Sequence, residues 1–224
     1  MECWVRAHTE VIPTEHVDHE QADELEEFFS GSSFDTAATA AATNMPTIIE
    51  DRRLRGFATI IGAQRVSWTQ PLLMLLLDRK QLSHGDYVDL IANLGSKRIG
   101  FVSAGSGDLF AAAQLGFDSP QFKSLVEVIS RKTVEAPSLA RVAVEFFVQL
   151  WNAEIPGARH RLVSSVLEAI LTRPDAIRLL RVIIVAVDKN LRERRFPENL
   201  ISRSWSDYVE RFVAGHFIRD AVIG

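Results

Sequence analysis

Two aspartates occupy positions where a metal-dependent reaction is possible. Asp35 follows a serine-containing break and opens a run of small residues, and Asp51 comes directly after the apolar run of residues 47–49. The spacing predicts Asp35 in the first turn of a helix and Asp51 at the carboxyl end of a short buried strand, where ligands of α/β sheets gather. Two carboxylates brought together there would offer hard oxygen ligands to Mg²⁺ or Mn²⁺, which position the attacking and leaving oxygens in phosphodiester cleavage.

Each aspartate also has a purely structural interpretation. Asp35 would be an early-turn charge that faces the positive end of the helix dipole. Asp51 would cap the helix that begins at Arg52. The spacing alone leaves both alternatives open.

The elements that would position these acids alternate between strands and helices up to residue 116. Such alternation is typical of a parallel α/β sheet. After Gly116 the strand signals stop, and breaks at prolines separate helical stretches alone. We therefore expect an α/β domain over residues 1–116 and an all-α domain over residues 117–224. The predicted strands cover residues 10–13, 47–49, 65–67 and 98–102, and the helices of the second part cover residues 121–131, 138–153, 159–172, 175–192 and 201–218.

The composition excludes several classes of protein. The chain has 224 residues, of which 47% are hydrophobic and 24% charged, the proportions of an ordinary globular protein. Cys3 is the single cysteine, which excludes an internal disulfide or a cysteine cluster and indicates a reducing, cytoplasmic compartment. No apolar stretch approaches the ~20 residues that a membrane span needs. No signal peptide is visible, and we expect no membrane partner.

The net charge of −4 is unevenly distributed. Residues 1–50 hold 11 acids and 1 base, residues 51–116 hold 5 acids and 8 bases, and residues 117–224 hold 13 acids and 16 bases. This asymmetry favours cations near the first segment or an anionic partner along the remainder. The alternative is a solvated acidic helix over residues 15–27.

The run SFDTAATAAATNMPTIIEDRRLR, residues 33–55, resembles the C-terminal half of a PIN domain. In that family of metal-dependent ribonucleases, an Asp-Ala-like helix start precedes a small-residue helix, a strand, and a Thr/Ser-x-Asp turn followed by arginine and leucine. Asp35 matches the first of these acids and Asp51 the second, while Ile49 stands where the family has threonine or serine. Residues 62–103 look like the extended PIN-like proteins of prokaryotes, so the resemblance covers about residues 1–116.

The resemblance implies a three-layer α/β/α domain with a short parallel sheet, incomplete because the family's opening strand and its catalytic aspartate have no counterpart upstream. It implies an endoribonuclease that uses Mg or Mn, with RNA as substrate and with Asp35 and Asp51 as both the catalytic and the metal-binding residues. Because a site with two carboxylates binds a divalent ion more weakly than one with three or four, we expect the domain to be truncated or catalytically impaired.

A non-catalytic role is the alternative hypothesis. In it, the helical part is a protein-interaction module of a toxin–antitoxin or phage-defence system, and it binds a partner protein or a second copy of the chain. Metal binding by the chain separates this hypothesis from the nuclease.

Three further motifs give weaker signals. His16 and His19 are a possible transition-metal pair within a helix start that is otherwise solvated. Residues 103–108 occupy the position of a phosphate-binding turn, although a plain turn between strand and helix is favoured. Residues 192–205 mix arginines with Phe196 and Trp205, as RNA-contacting surfaces do, and the alternative is a helix end whose arginines complement the dipole.

Overall fold

The computed structural model describes residues 31–97, 99, 102–153, 158–193 and 200–223. The chain divides into two compact units between Arg79 and Lys80. None of the helices in the described part of the chain is long and apolar enough to cross a lipid bilayer.

The first unit combines three helices with a pair of short strands in its described part. Its elements are α1 (Gly31–Thr43), β1 (Thr47–Ile48), α2 (Arg52–Ile60), β2 (Val66–Ser67) and α3 (Thr69–Asp78).

The two strands are parallel and in register, with Thr47 opposite Val66 and Ile48 opposite Ser67. The Thr47 amide donates to the Arg65 carbonyl and the Ile49 amide to the Ser67 carbonyl, both at 2.8 Å. Helix α2 provides the crossover that parallel strands require. The carboxyl ends of β1 and β2 therefore meet at one edge of the pair.

Alanines allow α1 to lie close to α2. Ala37 and Ala40 of α1 are almost fully buried against Phe57 and Ala58 of α2, and the ring of Phe34 stacks on that of Phe57 with centroids 5.6 Å apart. Because alanine side chains are small, the two helices can approach each other closely. Burying these side chains also costs little side-chain entropy. Ile49 and Leu54 complete this core together with Ala63.

The prediction of a three-layer α/β/α domain is wrong. The described residues are mostly helical, and their strands form one parallel pair of two residues each. Predicted strands 47–49 and 65–67 are present in shortened form, whereas strand 10–13 lies outside the described residues. In the predicted strand 98–102, Ile99 and Val102 belong to no strand.

The backbone hydrogen bond of Ile99 gives the physical reason for the missing strand. Its amide donates to the Leu94 carbonyl at 3.2 Å, so this amide completes the end of the preceding helix. A parallel strand would need partners on a neighbouring strand instead. Local apolar composition predicted a buried strand here, whereas Ile99 and Val102 are only half-buried.

The second unit is α-helical throughout its described residues. The helices predicted after Gly116 agree with the observed ones within a few residues, since prolines and caps mark their ends. The observed helices are α4 (His84–Ser96), α5 (Ser106–Gln114), α6 (Pro120–Ser130), α7 (Ala136–Asn152), α8 (Arg159–Leu171), α9 (Ala176–Glu193), α10 (Leu200–Gly215) and α11 (Arg219–Val222).

The domain boundary predicted near residue 117 lies inside this second unit. Helix α5 precedes that point, yet it packs against α6 and α7, which follow it. Helix α4 likewise packs against α6. Residues 84–114 thus share their packing with the helices that come after residue 117.

Aromatic side chains fill the centre of the second unit. Trp151 and Trp205 meet edge to face with ring centroids 4.9 Å apart, and Phe147 lies 5.9 Å from Trp205. Tyr208 is buried beside them and its hydroxyl lies 2.9 Å from the hydroxyl of Ser164. Burial raises the pKa of Tyr208 to about 12. Such edge-to-face pairs add to the free energy gained from burial alone.

A buried arginine joins the loops of the second unit. The Arg173 guanidinium donates to the carbonyls of Arg131 at 2.6 Å and Val134 at 3.1 Å, and it forms two hydrogen bonds with the carboxylate of Asp175. These hydrogen bonds from Arg173 hold the pKa of Asp175 below its usual value. Arg131 in turn donates to the Gly95 carbonyl at 2.8 Å, so two arginines link the carboxyl ends of α4, α6 and α8 with the starts of α7 and α9.

Gly95 lies at a tight contact between α4 and α6. A Cβ atom at this position would lie 2.6 Å from Cγ2 of Val128 and 3.1 Å from Oγ of Ser124. The Ser124 hydroxyl donates to the Ala92 carbonyl at 2.6 Å, which fixes the two helices at this distance. Only glycine fits here without movement of a neighbour.

We expect Gly95→Ala to lower the free energy of unfolding of the second unit by about 1–3 kcal/mol, because the added methyl group overpacks the contact with Val128. Gly107→Ala in α5 is the matched control, since a Cβ there meets nothing within 4 Å. The control should leave stability unchanged or raise it by up to about 1 kcal/mol. Urea denaturation followed by circular dichroism measures both. Equal effects of the two substitutions would contradict the close packing.

Arg173→Met should lower the free energy of unfolding by roughly 2–4 kcal/mol, because it leaves buried carbonyls without a donor. Lys132→Met, at an exposed position in the loop whose carbonyls Arg173 contacts, should change it by less than about 0.5 kcal/mol. Thermal denaturation of the two variants side by side tests this difference. A fully stable Arg173→Met protein would show that the guanidinium is dispensable.

Candidate functional site

Polar residues gather at the carboxyl ends of the two parallel strands. Glu50 and Asp51 follow β1 after the buried Ile49, and Trp68 and Thr69 follow β2. Because β1 and β2 pair in parallel, these residues belong to the same edge of the pair. This is the place where an α/β arrangement positions its functional groups.

Asp51 caps helix α2. Its backbone is extended, and its Oδ1 accepts a hydrogen bond from the Leu54 amide at 2.8 Å. The structural alternative for this residue is therefore confirmed. Its role as a catalytic metal ligand remains a prediction, and one of its two carboxylate oxygens is already engaged with the backbone.

Glu50 serves the neighbouring helix in the same way. Its Oε1 accepts a hydrogen bond from the Thr69 amide at 2.8 Å, across nineteen residues of sequence. Trp68, which precedes α3, makes no side-chain capping bond of its own. Glu50 thus ties the end of β1 to the start of α3. Sequence reasoning assigned it no role, and its position beside Asp51 at a strand end was the available signal.

Arg55 brings a positive charge to the same strand end. Its Nη1 donates to the Ile49 carbonyl at 2.7 Å, and its guanidinium carbon lies 4.5 Å from the centre of the Trp68 ring. This cation–π contact covers the indole. The guanidinium is hydrogen-bonded to the Ile49 carbonyl, next to Glu50, and its positive charge would repel a divalent cation that approached this carbonyl.

Asp35 lies in α1 with its side chain exposed. The predicted first-turn position is wrong, because the described helix already includes Gly31 and Ser33. Ser33 is accordingly part of the helix and not its cap. Helices α1 and α2 pack against each other, so Asp35 lies on one of two adjacent helices and Asp51 lies at the start of the other. Among the described residues, no group of three or more His, Cys, Asp or Glu side chains is arranged to hold a metal ion.

The predicted turn at residues 103–108 is a plain helix start. The Gly105 amide donates to Oδ2 of Asp108 at 2.8 Å, which engages the carboxylate at the start of α5. The other oxygen of Asp108 lies 3.0 Å from Nε2 of His84. This pair, twenty-four residues apart, escaped the sequence reasoning because no spacing rule connects the two positions.

The motif of arginines and aromatic residues follows its structural alternative at Arg192, which lies in the last turn of α9, where a positive charge complements the helix dipole. Trp205 is only 1% exposed and packs in the aromatic centre, so its predicted place in an RNA-contacting surface is wrong. Arg192 pairs with Asp188 at 2.9 Å on the same helix. His16, His19 and Phe196 lie outside the described residues.

The comparison with protein families gives one match. A family model described as a PIN domain associated with the TPR-GreAB-C-PIN system matches residues 1–60. No curated protein and no solved structure matches the chain. The match includes α1, β1, the whole of α2 and both predicted aspartates, so the chain carries a PIN-related segment at residues 1–60.

Asp51→Ala should lower the free energy of unfolding of the first unit by about 1 kcal/mol, because the start of α2 loses its acceptor. Asp51→Asn should cost less than about 0.5 kcal/mol, since asparagine is an equally good N-cap. Urea denaturation monitored by circular dichroism distinguishes the two. If Asp51→Asn is as destabilising as Asp51→Ala, the capping bond is not the main contribution of this side chain.

Proposed function

We propose that this chain acts in protein association without catalysing a reaction of its own. In this proposal a PIN-related segment is joined to a helical unit that binds protein partners. The observation that carries the proposal is the use of both acids at the end of β1: Asp51 caps α2 and Glu50 caps α3. Carboxylates committed to backbone amides are poorly available as a catalytic pair.

The electrostatics of the strand end support this choice. A metal ion at Asp51 would compete with the Leu54 amide for the carboxylate or bind only its second oxygen. Releasing the cap costs about 1 kcal/mol, and the Arg55 guanidinium lies on the adjacent Ile49 carbonyl. Mg²⁺ keeps several of its waters and is bound by one or two carboxylates, and the carboxylates at this strand end are less available for that purpose because they accept hydrogen bonds from backbone amides.

The family description supports partners of a particular kind. The matching family is associated with a system named for TPR and GreAB-C components. TPR proteins are stacked helical repeats whose extended concave surfaces bind other proteins. We propose a TPR protein of such a system as a partner of this chain.

Metal-dependent RNA cleavage is the second candidate, and the family match over residues 1–60 favours it. In that function Asp35 and Asp51 would be ligands of Mg²⁺ or Mn²⁺, and water would be the nucleophile. It requires further acids beyond the described residues to complete the site.

Incubation of the purified chain with single-stranded RNA and Mn²⁺ or Mg²⁺ tests the two functions. We expect no metal-dependent cleavage, because the strand-end carboxylates remain bound to helix N-termini. Titration calorimetry with Mn²⁺ should likewise give no heat that depends on Asp51. In parallel, a purified TPR protein of the system should co-elute with the chain in size-exclusion chromatography.

The control variants make a positive nuclease result interpretable. Asp51→Asn keeps the capping acceptor and removes the charge, and Asp78→Asn removes a charge from an exposed position at the end of α3. Cleavage that disappears in Asp51→Asn and persists in Asp78→Asn would refute the non-catalytic proposal. Cleavage that persists in both would indicate a contaminating nuclease.

A further inference from the structure

Helix α9 carries a continuous exposed face, which we call the basic stripe. Its members recur at spacings of three and four residues, apart from one adjacent pair, and therefore lie on one side of the helix. The residues of the basic stripe are Arg178, Arg181, Val182, Val185, Lys189 and Arg192, and all six are exposed.

The opposite face of α9 is buried inside the second unit. Leu180, Ile183 and Val187 are completely buried, and α9 packs against α7, α8, α10 and α11. The helix is therefore fixed in the fold, and its basic stripe is presented on a rigid element.

The basic stripe combines positive charge with exposed apolar surface. Val182 is 53% exposed and Val185 is 68% exposed, and four cations surround them. Arg192 pairs with Asp188 of the same helix, Lys189 also has an interaction partner, and Arg178 lies near enough to Asp175 to help hold the pKa of that carboxyl below its usual value. A surface of this kind gains most from a partner that offers both carboxylates and apolar side chains.

The sequence of the chain contains a segment with this composition. Residues 14–30 hold seven acids, no lysine or arginine, and the apolar side chains of Val17, Leu25, Phe28 and Phe29. Sequence spacing predicts a helix there with one apolar face. A helix of seventeen residues is about 25 Å long, and the basic stripe from residue 178 to residue 192 spans about 21 Å.

We propose that the basic stripe of one copy binds the acidic segment 14–30 of a second copy. This proposal rests on the proposed function, in which the chain acts through protein association. RNA fits the stripe less well, because a phosphate backbone would neutralise the arginines but leave the two central valines without an apolar partner. An exchange of the same two elements between two copies would give a closed, symmetric dimer.

Sedimentation equilibrium of the full chain tests the proposal. At about 50 mM salt, where charge screening is weak, the mass should rise with concentration from 25.1 kDa toward twice that value. The double variant Arg178→Glu/Arg181→Glu should weaken association at least about tenfold, because it places like charges opposite each other. Its matched control, Lys123→Glu/Lys132→Glu, changes the net charge equally at exposed positions outside α9 and should associate like the original chain.

A charge-swap variant makes the result specific. On its own, the triple variant Glu20→Lys/Glu24→Lys/Glu27→Lys should not self-associate. Combined in one chain with Arg178→Glu/Arg181→Glu, the reversed-stripe variant, it should associate again. Circular dichroism of each variant identifies any that fail to fold, and an isolated peptide of residues 14–30, titrated into the folded chain and its reversed-stripe variant, then provides the same comparison.

Four outcomes overturn the proposal. These are a monomer at all concentrations, an association insensitive to the reversed stripe, a peptide that does not bind, and an association that ribonuclease treatment removes. A monomer without nuclease activity would overturn only the stripe assignment. RNA cleavage sensitive to Asp51→Asn would instead overturn the proposed function, whatever the mass of the chain.

Discussion

An α-helix begins with backbone amides that have no carbonyl partner within the helix, and in this chain side chains supply many of the missing acceptors. Asp51 does so for α2, Glu50 for α3, Ser83 for α4 and Ser119 for α6. A chain with many helices needs many polar side chains to accept hydrogen bonds from the free amides at the helix N-termini. At the end of β1 this requirement engages oxygens of the same carboxylates that a metal site would need, while the metal site itself stays a prediction.

In the second unit, arginine side chains donate hydrogen bonds to backbone carbonyls at the ends of helices. Arg173 reaches carbonyls that lie 42 and 39 residues away in sequence, and Arg131 reaches the carbonyl of Gly95. Each guanidinium offers several donors in a fixed plane, so one side chain can hydrogen-bond to backbone carbonyls near more than one helix end.

Local features were predictable from the sequence, and long-range ones were not. Proline breaks and apolar spacing placed the helices after Gly116, and the position of Asp51 before Arg52 indicated its capping role. The fold class was wrong because apolar runs such as residues 98–102 indicate burial without identifying the partner, and the Ile99 amide bonds to a helix carbonyl. The bond from Glu50 to Thr69 and the pair of His84 with Asp108 join positions that no local pattern relates. The family match at residues 1–60 agrees with the PIN resemblance and does not extend to the helical unit.

The contact at Gly95 also constrains how this protein can evolve. Because Cγ2 of Val128 occupies the space that a side chain at position 95 would need, the two positions share one volume. A relative with alanine at position 95 can keep the same helix spacing only with a smaller residue, such as alanine or glycine, at position 128. The two positions should therefore change together in relatives, and this covariation would identify the α4–α6 packing in sequences whose structures are unknown.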